Sequence, residues 1–127
     1  MVGTTAESRV AERYLEKTGW DVYSMSNLRP ETTGIEGVVV WISTGTSEGK
    51  KLPHGPRVKV TLGATASTGR GSASVTIEAR PKVVTGKLPP NARKDVVRWI
   101  VLNKAALIQY WNDEIDTTRV IALLKSL

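Results

Sequence analysis

Apolar positions recur along this chain with three different periods, and each change of period marks an element. Between residues 96 and 111 they fall at Val96, Trp99, Ile100, Leu107 and Trp111, with Val97, Val101 and Ile108 beside them. Steps of three, four and seven place these side chains on one face of a helix. Pro90 suits its first turn, where no intrahelical partner for an N–H exists and φ is already set. The spacing predicts a helix over 90–112. Asn112-Asp113-Glu114 interrupts it, and Asp116 or Thr117 caps a second, shorter helix. Val120, Ile121, Leu123, Leu124 and Leu127 bury that one, and Lys125 in its last turn suits the negative end of the dipole.

Upstream the period drops to two. Residues 57–62 alternate, with Arg57, Lys59 and Thr61 on one side and Val58, Val60 and Leu62 on the other. That is the pattern of a half-buried strand with its basic face in water. Residues 73–79 follow suit, with Val75 and Ile77 inward and Thr76 and Glu78 outward, and pair most simply with 57–62 as an antiparallel hairpin. The hairpin connection, 63–72, holds Gly63, Gly69, Arg70 and Gly71. Residues 36–43 show no alternation. Val38-Val39-Val40-Trp41-Ile42 is a continuous β-branched and aromatic run, suited to a central strand covered on both faces. A last short strand is expected at 82–85.

The N-terminal segment returns to a helical period. Val10, Ala11, Tyr14 and Leu15 share a face over 6–18, Glu and Arg or Lys alternate on the other, and Gly19 closes the helix. Trp20-Asp21-Val22-Tyr23 is a further candidate strand. Residues 26–34 and 44–56 are rich in turn formers and are expected to be loops. A block of strands flanked by helices predicts an α+β fold: one domain over 1–127, an antiparallel sheet of four to five strands, and the N-terminal helix and both C-terminal helices packed on one face.

Composition changes the picture in three ways. Phenylalanine is absent, so four Trp and three Tyr carry the aromatic bulk of the core. Cysteine is absent as well, which removes disulfides, thiol nucleophiles and cysteine-ligated zinc from consideration. No apolar run approaches the roughly 20 residues that span a bilayer, and none resembles a signal region, so no membrane role and a cytoplasmic location are expected.

Charge changes it further. The net charge is +6, but residues 49–94 carry ten basic side chains and one acid, Glu78. The excess therefore sits on the expected strands and their loops. Lys50, Lys51, Arg57, Lys59, Arg70, Arg80, Lys82 and Lys87 are the candidate binding residues, expected to form one positive surface opposite the helices. A field of one sign attracts polyanions or an acidic protein. Few aromatics interleave with these cations, so nucleic-acid binding would be led by phosphates rather than by base stacking.

Catalytic chemistry is thinly represented. His54 is the single histidine, so neither a multi-histidine metal site nor a serine triad can be assembled around it without distant partners. Gly69-Arg70-Gly71-Ser72 leads into a strand rather than a helix and is not a phosphate-binding P-loop. No catalytic residue, metal or cofactor is expected.

Two resemblances add to this reading. The run Val84-x-Gly86-x-Leu88-Pro89-Pro90-x-Ala92, followed by Val97-x-Trp99, Asn103, Leu107 and Trp111, resembles the C-terminal half of the domain-of-unknown-function 4160 family. The likeness covers roughly residues 36–112. It implies a small bacterial protein with a few strands before a long helix, encoded in a toxin–antitoxin-like pair and of no established activity. Members usually carry Pro-Pro-His-aromatic-His on an early strand, and Pro53-His54-Gly55-Pro56 here retains one of the two histidines. Ala11-x-x-Tyr14-Leu15-x-x-x-Gly19-Trp20 is similar to the opening of small restriction-endonuclease-like proteins. That likeness implies an acid at the next strand's start, where Glu36 stands, and a Glu-x-Lys pair on the one after. Arg57-Val58-Lys59 occupies the second place, so a cation replaces the metal-binding carboxylate. The expected function is a non-enzymatic binding protein that engages nucleic acid or an acidic protein. A divergent or degenerate nuclease or toxin acting on nucleic acid is the alternative.

Overall fold

A computed structural model describes residues 25–47, 49–63 and 70–127. The expected N-terminal helix and the strand at 20–23 lie outside these. The described part is α+β, with a five-stranded antiparallel sheet and two C-terminal helices. Its elements are β1 (Met25–Leu28), a single helical turn α1 (Pro30–Thr33), β2 (Val38–Ser43), β3 (Thr46–Ser47), β4 (Lys50–Lys51), β5 (Arg57–Leu62), β6 (Arg70–Thr76), β7 (Val83–Thr85), α2 (Pro90–Trp111) and α3 (Thr117–Leu123). The main sheet runs β1-β2-β5-β6-β7, every neighbouring pair antiparallel. β3 and β4 form a separate two-stranded ribbon inserted between β2 and β5.

The registers give the sheet two distinct ends. Ser43 pairs with Met25, Arg57 with Thr76, and Val75 with Val83, so these residues share the end from which the ribbon springs. At the other end Val38 pairs with Leu62, and Gly63 N donates to Gly37 O at 2.7 Å. These are called the ribbon end and the turn end below. α2 starts beyond the turn end, after β7, and runs back to the ribbon end. There Gly45 N donates to the Trp111 carbonyl at 2.7 Å, and a Cβ on Gly45 would stand 2.5 Å from the Trp111 indole nitrogen. The bare glycine lets the indole lie against the backbone.

The core lies between the sheet and α2. Val38, Val40 and Ile42 of β2, Val58 and Val60 of β5, and Val75 of β6 face Val96, Trp99, Ile100 and Leu107, and Val120 of α3 joins them. Trp99 is completely buried. Val39 and Trp41 point to the opposite face, where they cluster with Met25. Side chains alternate along a strand, so the even-numbered residues of β2 meet the helix and the odd-numbered ones cannot. The expectation that β2 is covered on both faces holds, since Val38 through Ile42 are all buried.

Three loop expectations gave way to structure, the 44–56 segment among them, since it holds the β3–β4 ribbon. Residues 26–28, assigned to a loop by their composition, form β1 because the edge of β2 offers them a ladder and Leu28 is buried. Residues 30–33 make one helical turn that ends on Gly34, whose φ is 77°. At the other extreme, α2 and the hairpin of β5 and β6 lie close to where periodicity placed them. Asp116 caps α3 by accepting from Arg119 N at 2.8 Å.

The chain end is tied down by Asn103, a buried polar residue on α2. Its amide donates to Lys125 O at 2.9 Å and accepts from Lys125 N at 2.7 Å, while also donating to Trp99 O at 3.0 Å. Leu127 N then donates to Thr33 O at 2.9 Å. A side-chain amide thus acts as a strand partner for the C-terminal segment.

Candidate anion-binding surface

Arg57, Lys59 and Thr61 do share one side of β5, as their spacing implied, but that side is not in water at Lys59. Lys59 is 3% exposed and Thr61 is 1% exposed. Each pairs with a β2 residue of the second buried layer, Lys59 with Trp41 and Thr61 with Val39. Trp41 Nε1 donates to Thr61 Oγ1 at 3.1 Å across the two strands. Alternation within β5 could not reveal this, because the layer is set by the apolar residues of β2 next to it. Burial lowers the Lys59 pKa from 10.5 to about 8. Lys59 therefore belongs to the interior rather than to an open basic face.

The remaining candidates divide between the two ends of the sheet. Lys50 and Lys51 are exposed on β4, outside the main sheet. Arg57 opens β5 at the ribbon end, opposite Thr76. Arg80 and Lys82 are exposed on the connection from β6 to β7, where Thr76 N donates to Lys82 O at 2.9 Å. The backbone of Arg70 starts β6 at the turn end, and exposed Lys87 follows β7 there. The structure thus gathers Lys50, Lys51, Arg57, Arg80 and Lys82 at the ribbon end and leaves Arg70 and Lys87 apart from them. None of those five is in an ion pair among the described residues, whose one described salt bridge joins Arg98 to Asp95 at 3.7 Å.

A cleft of about 210 Å³ opens at this end, lined by Gly55, Pro56, Arg57, Thr76, Ile77 and Glu78. Ile77 N donates to Pro56 O at 3.0 Å and joins its two walls. The Thr76 hydroxyl donates to Glu78 Oε2 and accepts from Lys82 N at 2.9 Å. Arg57 Nε is buried and has no hydrogen-bond partner. Of these residues the sequence singled out Arg57. Thr76 and Glu78 escaped it because they read as the outward positions of a strand, although Glu78 was already conspicuous as the lone acid in a basic segment.

His54 lies nearby, its ring 5.7 Å from that of Trp111 and tilted by 41°. Its Nδ1 donates to Gly55 O at 3.0 Å, which fixes the ring over the end of α2. The positions that stand for a nuclease metal site are not brought together. Glu36 is exposed beside Val38 at the turn end, whereas Arg57 lies five residues from Leu62 at the ribbon end, roughly 17 Å away at the rise of a strand. Among the described residues no three of His, Cys, Asp and Glu stand close enough to hold a metal ion, and no helix is long and apolar enough to cross a membrane. No family model, curated protein or solved structure matches the chain.

Proposed function

We propose that the protein is a binding module that engages nucleic acid through its phosphates, and that the contact surface is the ribbon end rather than a sheet face. The observation that carries this is the set of cations there, Lys50, Lys51, Arg57, Arg80 and Lys82, none of them in an ion pair among the described residues. Clustered like charges repel one another until a polyanion supplies the missing counter-charge, so the surface favours an anionic partner. Among the described residues little is offered for stacking, since Trp41 and Trp99 are buried and Trp111 is engaged with Gly45 and His54. Phosphate contacts without base contacts give shape-tolerant, sequence-independent binding.

The test is a salt titration of binding to mixed-sequence DNA and RNA, with the parent beside Lys50→Ser/Lys51→Ser and Arg80→Ser/Lys82→Ser variants. Affinity is expected to fall steeply with salt, and each variant to lower the slope of log affinity against log salt by about one per lost contact. No binding at low salt excludes nucleic acid and leaves an acidic protein as the partner to pursue.

A further inference from the structure

We propose that the cleft at the ribbon end is a site for one phosphate monoester that carries a proton, with Arg57 donating to its anionic oxygen and Glu78 accepting from its hydroxyl. The inference rests on the reading of the ribbon end as an anion-binding surface and names the group gripped there. Arg57 Nε is the starting point. It is buried without an acceptor, and buried donors in proteins are nearly always paired. Nε is covered as the side chain stands, so a ligand reaches it by a turn of the guanidinium into the cleft that Arg57 lines, which presents the Nε–H and the adjacent Nη–H to two oxygens of an oxoanion.

The usual neutralising partner is present and turned away. Glu78 is the one carboxylate among the cleft's lining residues, yet it makes no ion pair with Arg57. The Thr76 hydroxyl holds its Oε2 instead, and that hydroxyl is fixed in turn by Lys82 N. Arg57 and Thr76 are cross-strand partners, so the cation at the start of β5 and the carboxylate two residues past the end of β6 line one cleft without forming an ion pair. Both groups line the cleft, whose Gly55 wall is open, with nothing within 4 Å of where a Cβ on Gly55 would stand.

An unpaired cation beside an unpaired carboxylate oxygen selects its ligand. A fully ionised oxoanion is attracted by Arg57 and repelled by Glu78. A phosphate group that keeps one proton satisfies both, because its ionised oxygen accepts from Arg57 while its hydroxyl donates to Glu78. Free at neutral pH a monoester is mostly the dianion, since its second pKa lies near ~6, but it can take up a proton and donate it to Glu78 in a hydrogen bond, whereas sulfate and the diesters of a nucleic-acid backbone have none to donate. The site is therefore expected to prefer inorganic phosphate or a terminal phosphate to sulfate or an internal phosphate.

The experiment follows the Arg57 Nε–H signal by NMR as inorganic phosphate or sulfate is titrated into the full chain. Phosphate is expected to shift the signal saturably, and sulfate to need at least about tenfold more. Arg57→Lys, which keeps the charge and removes the Nε donor, should weaken phosphate binding by about tenfold or more, read on backbone signals of Ile77 and Gly55. Glu78→Gln should bring phosphate and sulfate to within about twofold of each other. A parent that shows no saturable shift at Arg57, or responds alike to both ions, overturns the proposal even if neither variant folds. A second arm compares oligonucleotides with a 5′-phosphate and a 5′-hydroxyl. Equal binding that leaves the Arg57 signal unmoved refutes the cleft while sparing the basic surface. Saturation by inorganic phosphate with no oligonucleotide binding supports the cleft and refutes the nucleic-acid reading.

Discussion

Gly86 offers the most direct check on how the sheet is joined to the long helix. It sits between β7 and Pro90 with φ at +73°, and a Cβ built on it would stand 1.9 Å from Ser72 O and 2.8 Å from Ala73 Cα. Both obstacles are backbone, so no rotamer change relieves them. Gly86→Ala therefore carries two costs. The left-handed conformation costs an L-residue roughly 1–2 kcal/mol. Opening the contact from 1.9 Å to an ordinary 3.4 Å means moving β6 and β7 apart by about 1.5 Å. That strains the pairing of Ser74 with Thr85, and overpacking of this kind costs about 1–3 kcal/mol or more. The expected total is about 2–5 kcal/mol. Gly37→Ala is the control. Its φ is +78° but nothing lies within 4 Å of its Cβ position, so it meets the conformational term alone, about 1 kcal/mol after the stiffer unfolded chain is allowed for. Urea melts of parent, Gly37→Ala and Gly86→Ala measure both. If the two variants agree within about 1 kcal/mol, the turn is not packed on β6 as described.

Three further outcomes are expected. Trp99→Ala should destabilise by about 3–5 kcal/mol in urea melts, because it empties the centre of the core, whereas Trp99→Phe should cost much less, since the buried indole N–H it removes has no partner. Asn103→Ala should cost about 2–3 kcal/mol and speed amide exchange at Lys125 and Leu127; unchanged exchange there would show that the clamp does not hold the chain end. Lys59 binds its proton less readily folded, at about 8, than at its ordinary 10.5. Between those values the unfolded chain holds a proton the folded chain lacks, so stability should rise with pH across that window by about 3 kcal/mol. Lys59→Met should abolish that rise, and a variant that keeps it would assign the pH dependence to another group.

Local patterns carried the fold class because they agree with one another. The three-and-four spacing of Val96, Trp99, Ile100 and Leu107, the alternation of 57–62, and the unbroken apolar run of β2 each point to the element that forms. The errors share a cause, which is that burial is a property of neighbours. β1 exists because β2 has an edge to offer, and Ser26 and Asn27 carry no strand signal of their own. Lys59 reads as a wet cation on a half-buried strand, and it is interior because Trp41 lies across from it. Parity decides the rest. Nothing in Val38-Val39-Val40-Trp41-Ile42 says which alternate set meets the helix, and only the structure shows that it is the even-numbered one. The candidate site was legible as a charge imbalance over 49–94, but not as a place. Its residues come from β4, β5 and the connection to β7, and only the strand order brings those to one end.

That placement follows from the burial of the sheet. With Val38, Val40 and Ile42 against α2, and Val39, Trp41, Lys59 and Thr61 buried on the opposite side, neither face is free at its centre for a large partner. A contact surface must then use the ends, where strands give way to loops and cations can stay in water. The same arrangement separates binding from stability. Lys50, Lys51, Arg80 and Lys82 are exposed and in no ion pair among the described residues, so replacing them removes little that holds the fold together. Each replacement also relieves repulsion from its neighbours. A loss of binding in those variants therefore reports on the surface itself, whereas a loss in Lys59 or Trp41 variants would report first on the interior. This asymmetry makes the ribbon end testable by substitution in a way that the buried sheet face is not.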